Sequence, residues 1–147
     1  MLCCWYCIFL FFPDCIYYYC KTSKCPFCIS LVHNIEELQD YICVGQDRDD
    51  GDTRAVLFVK VKKGYAFTQQ LKEKIAHTIS RELWVDYVPQ VIREVADIPY
   101  NLNNKRMESV VRKILATNKI PEVNNIKNPE CLKYYVNIPE LVNYYKK

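Results

Sequence analysis

Glycine is scarce in this chain: three residues in 147. Glycine-rich phosphate-cradling loops of the usual kinds cannot be built from so few. His33 and His77 are the only histidines, which removes most histidine-based catalysis and metal ligation. Charge of one sign is lacking too. A formal net charge of +3 does not make a dedicated nucleic-acid binder, which usually shows a pI above about 9 and a concentrated basic face. Long apolar runs stop early. Met1 to Phe12 is apolar, but Pro13 and Asp14 interrupt it before the roughly 20 residues that a spanning helix needs. No basic residue precedes Leu2 and no small-residue cleavage site follows Phe12, so the run does not match a secretory signal either. Lys21 and Lys24 would suit a membrane-proximal flank, the one feature in favour of an anchor.

What is present divides in two. Cys3, Cys4, Cys7, Cys15, Cys20, Cys25 and Cys28 crowd the start, among phenylalanines and tyrosines, while ordinary soluble-protein composition begins near His33. The boundary separates a cysteine- and aromatic-rich leader, 1–32, unstructured or an artefact of gene extension, from a domain over 33–147. Cys4-x-x-Cys7 and Cys25-x-x-Cys28 fit the spacing of a four-thiolate zinc site. The segment between them is apolar and aromatic rather than polar and turn-rich, which argues against it. Cys25-Pro26-Phe27-Cys28 also has redox-pair spacing, but too little chain follows for the helix that stabilises such a thiolate. No metal is expected.

Beyond the leader, Asn34 can cap a short helix over Ile35 to Asp40, with Tyr41 to Val44 as a strand. Asp47 to Asp52 is a charged turn in which Gly51 supplies a positive φ. Ala55 to Val59 is apolar and β-rich, as expected of a strand buried on both faces. Thr68 is a credible N-cap for a helix to about Leu83, with Leu71, Ile75 and Ile79 on one stripe and His77 off it. A strand entered through Pro89 spans Val88 to Val95. Met107, Val110, Val111, Ile114 and Leu115 mark a second amphipathic helix. The tail from Thr117 reads as loop with one helical turn near Pro129 to Tyr135. The fold class is α+β: a small sheet of about three strands with helices packed on it.

The acidic set Glu36, Glu37, Asp47, Asp49, Asp50 and Asp52 occupies capping and turn positions, where solvation explains it. Lys105, Arg106, Arg112 and Lys113 can form one positive patch, and Lys105 is the best chemical candidate. Ile98-Pro99 stiffens the entry to its loop, and Asn103 and Asn104 tolerate turn conformations. A long side chain with a compact charge on a stiff loop can reach a neighbouring anionic site.

At this loop the chain resembles a known family. Asp97-Ile98-Pro99-Tyr100-Asn101-Leu102-Asn103-Asn104-Lys105-Arg106 is similar to the final core motif of the adenylate-forming acyl-CoA synthetases. Ile35 to Gln46, Val56 to Lys60, and Asn128-Pro129-Glu130 through Asn137 to Leu141 look like the C-terminal region of the acetoacetyl-CoA synthetase family. The likeness runs from about Val32 to Leu141. It implies a lid-type C-terminal domain of an acid–thiol ligase (acetoacetate–CoA ligase), cytoplasmic, that swings over a larger ATP-binding domain lying outside this stretch. It also implies Lys105 as the catalytic residue, with Asn104, Arg106 and Tyr87 on the substrate and CoA side. Acetoacetate, ATP with Mg and CoA would be the ligands of the full-length protein, with none held by this stretch alone. Two departures stand out. Asn104 occupies the position before the lysine where the motif has glycine, and Asp86-Tyr87 stands where the family has Arg-His before Val88-Pro89, putting thioester formation in question. A non-catalytic regulatory or binding module that docks on an intact synthetase is the alternative.

Overall fold

The computed structural model describes residues 31–48, 51–83, 85–142 and 144. The leader readings, from zinc and redox pairs to an anchor, lie outside the described residues. Among those described, no helix is long and apolar enough to cross a membrane and no group of acidic, cysteine or histidine side chains could hold a metal ion.

Two strands form a hairpin: β1 (Leu38–Asp47) and β2 (Thr53–Val61) pair antiparallel, with Ile42 opposite Phe58 and Val44 opposite Val56. β3 (Val91–Glu94) then runs parallel to β2, with Val56 opposite Val91, so β2 is central in the order β1-β2-β3. A parallel neighbour needs a crossover. Helix α1 (Gln69–Glu82) supplies it, capped by Thr68, whose side chain accepts from the Leu71 amide. A 3-10 turn, Val85–Tyr87, leads into β3. Helix α2 (Glu108–Thr117) ends at Asn118, which is left-handed and donates its amide to Ile114 O at 2.7 Å. A 3-10 segment (Pro129–Tyr135) and the four-residue α3 (Pro139–Val142) close the described chain.

Val56, Leu57, Phe58 and Val59 are all buried, and alternate residues serve opposite faces. Leu57 and Val59 join Tyr41, Leu71, Ile75 and Ile79 under α1. Val56 and Phe58 join Ile42, Val44, Val111, Ile114, Leu132, Tyr135 and Leu141 under α2 and the tail. The α+β expectation of a three-stranded sheet carrying helices holds.

Three local expectations change. The helix over Ile35 to Asp40 is absent. Cross-strand pairing extends β1 back to Leu38, with a register shift between Leu38 and Asp40, and that outcompetes a short polar helix. The strand through Pro89 starts only at Val91, because proline cannot donate to the ladder. The tail is not mere loop. Cys131, Leu132, Tyr135, Ile138 and Leu141 are all at most 4% exposed, and they form one wall of the core.

Candidate functional site

The site is built where β3 runs out. Val95 still donates to Val59 O at 2.9 Å. Ile98 and Pro99 are then buried, and the chain turns back on itself at Tyr100–Arg106. An antiparallel bridge joins Tyr100 to Arg106, and Met107 N donates to Pro99 O at 2.9 Å. Within the turn, Asn101 does the work of a backbone turn with its side chain: Oδ1 accepts the amides of Asn103 and Lys105, each at 2.9 Å. Asn101 N donates to Lys105 O at 2.9 Å. Asn104 has φ 57°, a left-handed conformation that asparagine tolerates better than most residues. Lys105 sits at the exposed end. Its ammonium makes no hydrogen bond or ion pair with any described residue.

Everything beneath that ammonium is tied down. Asp40, on β1, accepts Arg106 Nη2 at 2.6 Å and Nε at 3.0 Å, and it also accepts a very short bond from the Tyr100 hydroxyl. The Arg106 guanidinium lies over the Tyr41 ring, 4.5 Å from its centroid. Burial, and then the bonded Asp40 carboxylate, push the Tyr100 phenol up to about 12. On the other flank, Lys60 Nζ meets Asp97 Oδ1 at 2.7 Å. Asn128 Nδ2 donates to Asp97 Oδ2 at 2.5 Å and to Ile98 O at 2.8 Å, while its Oδ1 accepts the Tyr100 amide at 3.0 Å. Burial raises the Asp97 pKa, but the Lys60 and Asn128 hydrogen bonds and the Lys60 charge outweigh it and hold the carboxyl low. A cleft of about 440 Å³ opens at this flank, lined by Asp97, Tyr100, Asn104, Lys127 and Asn128.

The structure therefore separates the residues grouped by sequence. Arg106 faces inward onto Asp40, and Arg112 pairs with Asp47; neither belongs to a common free patch with Lys105. Asn104 adjoins Lys105 at the loop end. Tyr87 lies elsewhere, with Asp86, in a second cleft of about 570 Å³ whose lining includes Asp52, Arg54, Gln90 and Tyr144. Of the acidic set, Glu37 pairs with Lys74, whose bond holds its carboxyl low, and Asp47 is likewise held low, chiefly by Arg112. The supports Asp40, Lys60, Asp97 and Asn128 were not legible as site residues. The one signal was Asn128-Pro129, an asparagine forced to extended geometry by the following proline.

A sheet of this order with a stapled lysine loop after its last strand defines a class. In fold, the described residues match the C-terminal domain of the acyl-CoA synthetases, and the chain belongs to that superfamily. More particularly, its relatives by sequence are acetoacetyl-CoA synthetases. The *Gallus gallus* enzyme is 37% identical over 115 residues, covering 78% of this chain and 17% of the relative. The *Rhizobium meliloti* enzyme is 33% identical over 110 residues, 75% of this chain and 17% of the relative. The solved acetoacetyl-CoA synthetase of *Streptomyces lividans* superposes with a TM-score of 0.65 at 26% identity, over 74% of this chain and 17% of that one. The chain thus spans about a sixth of the length of the relatives it matches. No family model matches it.

Proposed function

We propose that this chain is a C-terminal fragment of an acetoacetate–CoA ligase, in which Lys105 serves the ATP-dependent adenylation of acetoacetate, and that it is inactive alone. The observation that carries this reading is the unpartnered Lys105 ammonium on a loop whose other polar groups are engaged. A carboxylate attacking a phosphate brings two anions together, and a preorganised cation offsets the charge that develops. Such a cation works best when it is already held in place and has no carboxylate of its own to leave. The remaining ligands of the reaction, ATP with Mg and the acyl acceptor CoA, would be held mainly by a larger nucleotide-binding domain. The described residues offer no metal-binding cluster, which supports placing the metal there.

The test is a fusion of this chain to the ATP-binding domain of an acetoacetyl-CoA synthetase. Lys105→Ala should lower adenylate formation by about 100-fold or more, the scale on which removing a charge-stabilising group acts, while the thermal midpoint stays put because Lys105 is exposed. Equal loss of folding and activity would remove the catalytic role. The chain by itself should form no acetoacetyl-adenylate.

A second reading, a regulatory module that docks on an intact synthetase, is favoured by one observation. Asp86 is exposed on the Val85–Tyr87 turn and shares its cleft with Asp52, so that cleft repels a polyphosphate such as CoA more than a basic one would. Stable co-purification with a full-length synthetase, together with no gain of thioester formation in the fusion, would favour it.

A further inference from the structure

The lysine loop is walled on its outer side by a segment distant in sequence, Ile126 to Asn128. Ile126 bridges to Asn101, Lys127 N donates to Tyr100 O at 2.8 Å, and Asn128 holds both Ile98 and Tyr100. These bonds all grip the base of the loop. One reaches its end: Lys127 Nζ donates to Asn104 Oδ1 at 3.0 Å. Asn104 is the left-handed residue immediately before Lys105, so its side chain is the nearest handle on the backbone that aims Lys105. No described carboxylate pairs with the Lys127 ammonium, and Asn104, Lys127 and Asn128 share the walls of one cleft.

We propose that Lys127 is a positioning residue for Lys105: by gripping the Asn104 side chain it holds the left-handed turn that presents the Lys105 ammonium. The proposal rests on Lys105 being the reacting-site lysine, but the grip itself is a property of this chain and can be measured without any reaction. Glycine at a left-handed position frees the backbone to leave it, since glycine populates many conformations about equally. Asparagine with an external anchor gives the same turn with fewer alternatives. Lys127 supplies that anchor as a charged donor to a neutral acceptor, a stronger type of bond than a neutral pair.

The experiment follows backbone amide exchange in the whole chain by NMR. Lys127→Met keeps the aliphatic stem and removes the donor. It should speed exchange at the Asn104 and Lys105 amides about 3- to 10-fold, the scale of one lost hydrogen bond, with exchange in β2 unchanged. Lys127→Arg should restore the slow rate. Asn104→Asp turns the acceptor into a carboxylate and should slow exchange further with Lys127 present, but not beside Lys127→Met. Unchanged Asn104 and Lys105 exchange in Lys127→Met, or an Asn104→Asp effect independent of Lys127, would overturn the grip. If the grip holds and Lys105→Ala proves harmless in the fusion, the catalytic reading fails and the grip stands as a structural device.

Discussion

Lys60 and Asp97 show what a single ionisable pair does at the foot of the loop. Their contact is 2.7 Å, and each side chain keeps roughly a third of its surface in water. A pair so exposed contributes little to global stability, but its pH dependence has a definite sign. The Asp97 pKa is lowered in the fold, so its contribution is present above the ordinary carboxylate value of about 3.9 and is lost as pH falls through the depressed value. Urea midpoints of the parent chain and Asp97→Asn should therefore differ at pH 7 and draw together below about pH 4. A gap that stayed constant down to pH 3 would show that Asp97 acts here through shape and neutral hydrogen bonding rather than charge. Residue-level chemistry was half legible in the sequence. Lys105 stands out because a stiff, asparagine-rich turn surrounds it. Asp97 and Asp40 do not, because their partners, Lys60 and Arg106, lie 37 and 66 positions away in sequence.

At the scale of elements, the tail carries more than its sequence pattern suggested. Pro129–Tyr135 and α3 have no long amphipathic period to read, and helices this short do not form alone. They are held by what they cover. The Tyr135 ring meets Phe58 edge-on at 4.9 Å between centroids, and its hydroxyl donates to Asp97 O at 3.0 Å. Gln46, 1% exposed, donates to Leu141 O at 2.9 Å and accepts Arg54 Nε, while Arg54 Nη2 donates to Glu140 O. Leu132 is 2% exposed, and Leu132→Ala should cost about 2 to 5 kcal/mol by the transfer and cavity terms of a buried leucine. Chemical denaturation would read this directly, and a loss below about 1 kcal/mol would mean that the tail is peripheral. The long elements were the legible ones: α1 has both a capping threonine and a full stripe, and the apolar run in β2 is continuous. The strand and helix boundaries near Leu38 and Val91 were not, since pairing partners decide them rather than local propensity.

The whole molecule has two apolar clusters that meet only across the sheet, with Leu57 and Val59 on one side and Val56 and Phe58 on the other. Neither cluster can lose its strand without exposing the other. Val59→Ala on the α1 face should therefore lower the stability of amides in α2 by the same amount as those in α1, as a single cooperative unit does. Separate exchange energies for the two helices would show two units instead. The fold class was legible from the order of apolar runs. That the tail would close the second face was not, because its buried residues come singly or in pairs among prolines and asparagines.

The shared strand also has a mechanical consequence. With side chains packed on both sides of β2, there is no soft layer between α1 and the lysine loop at which the body could bend. Torque applied at one edge would arrive at Lys105 as pure rotation, and the stroke of its ammonium would be set by lever length alone. Any pivot must then lie outside the packed body.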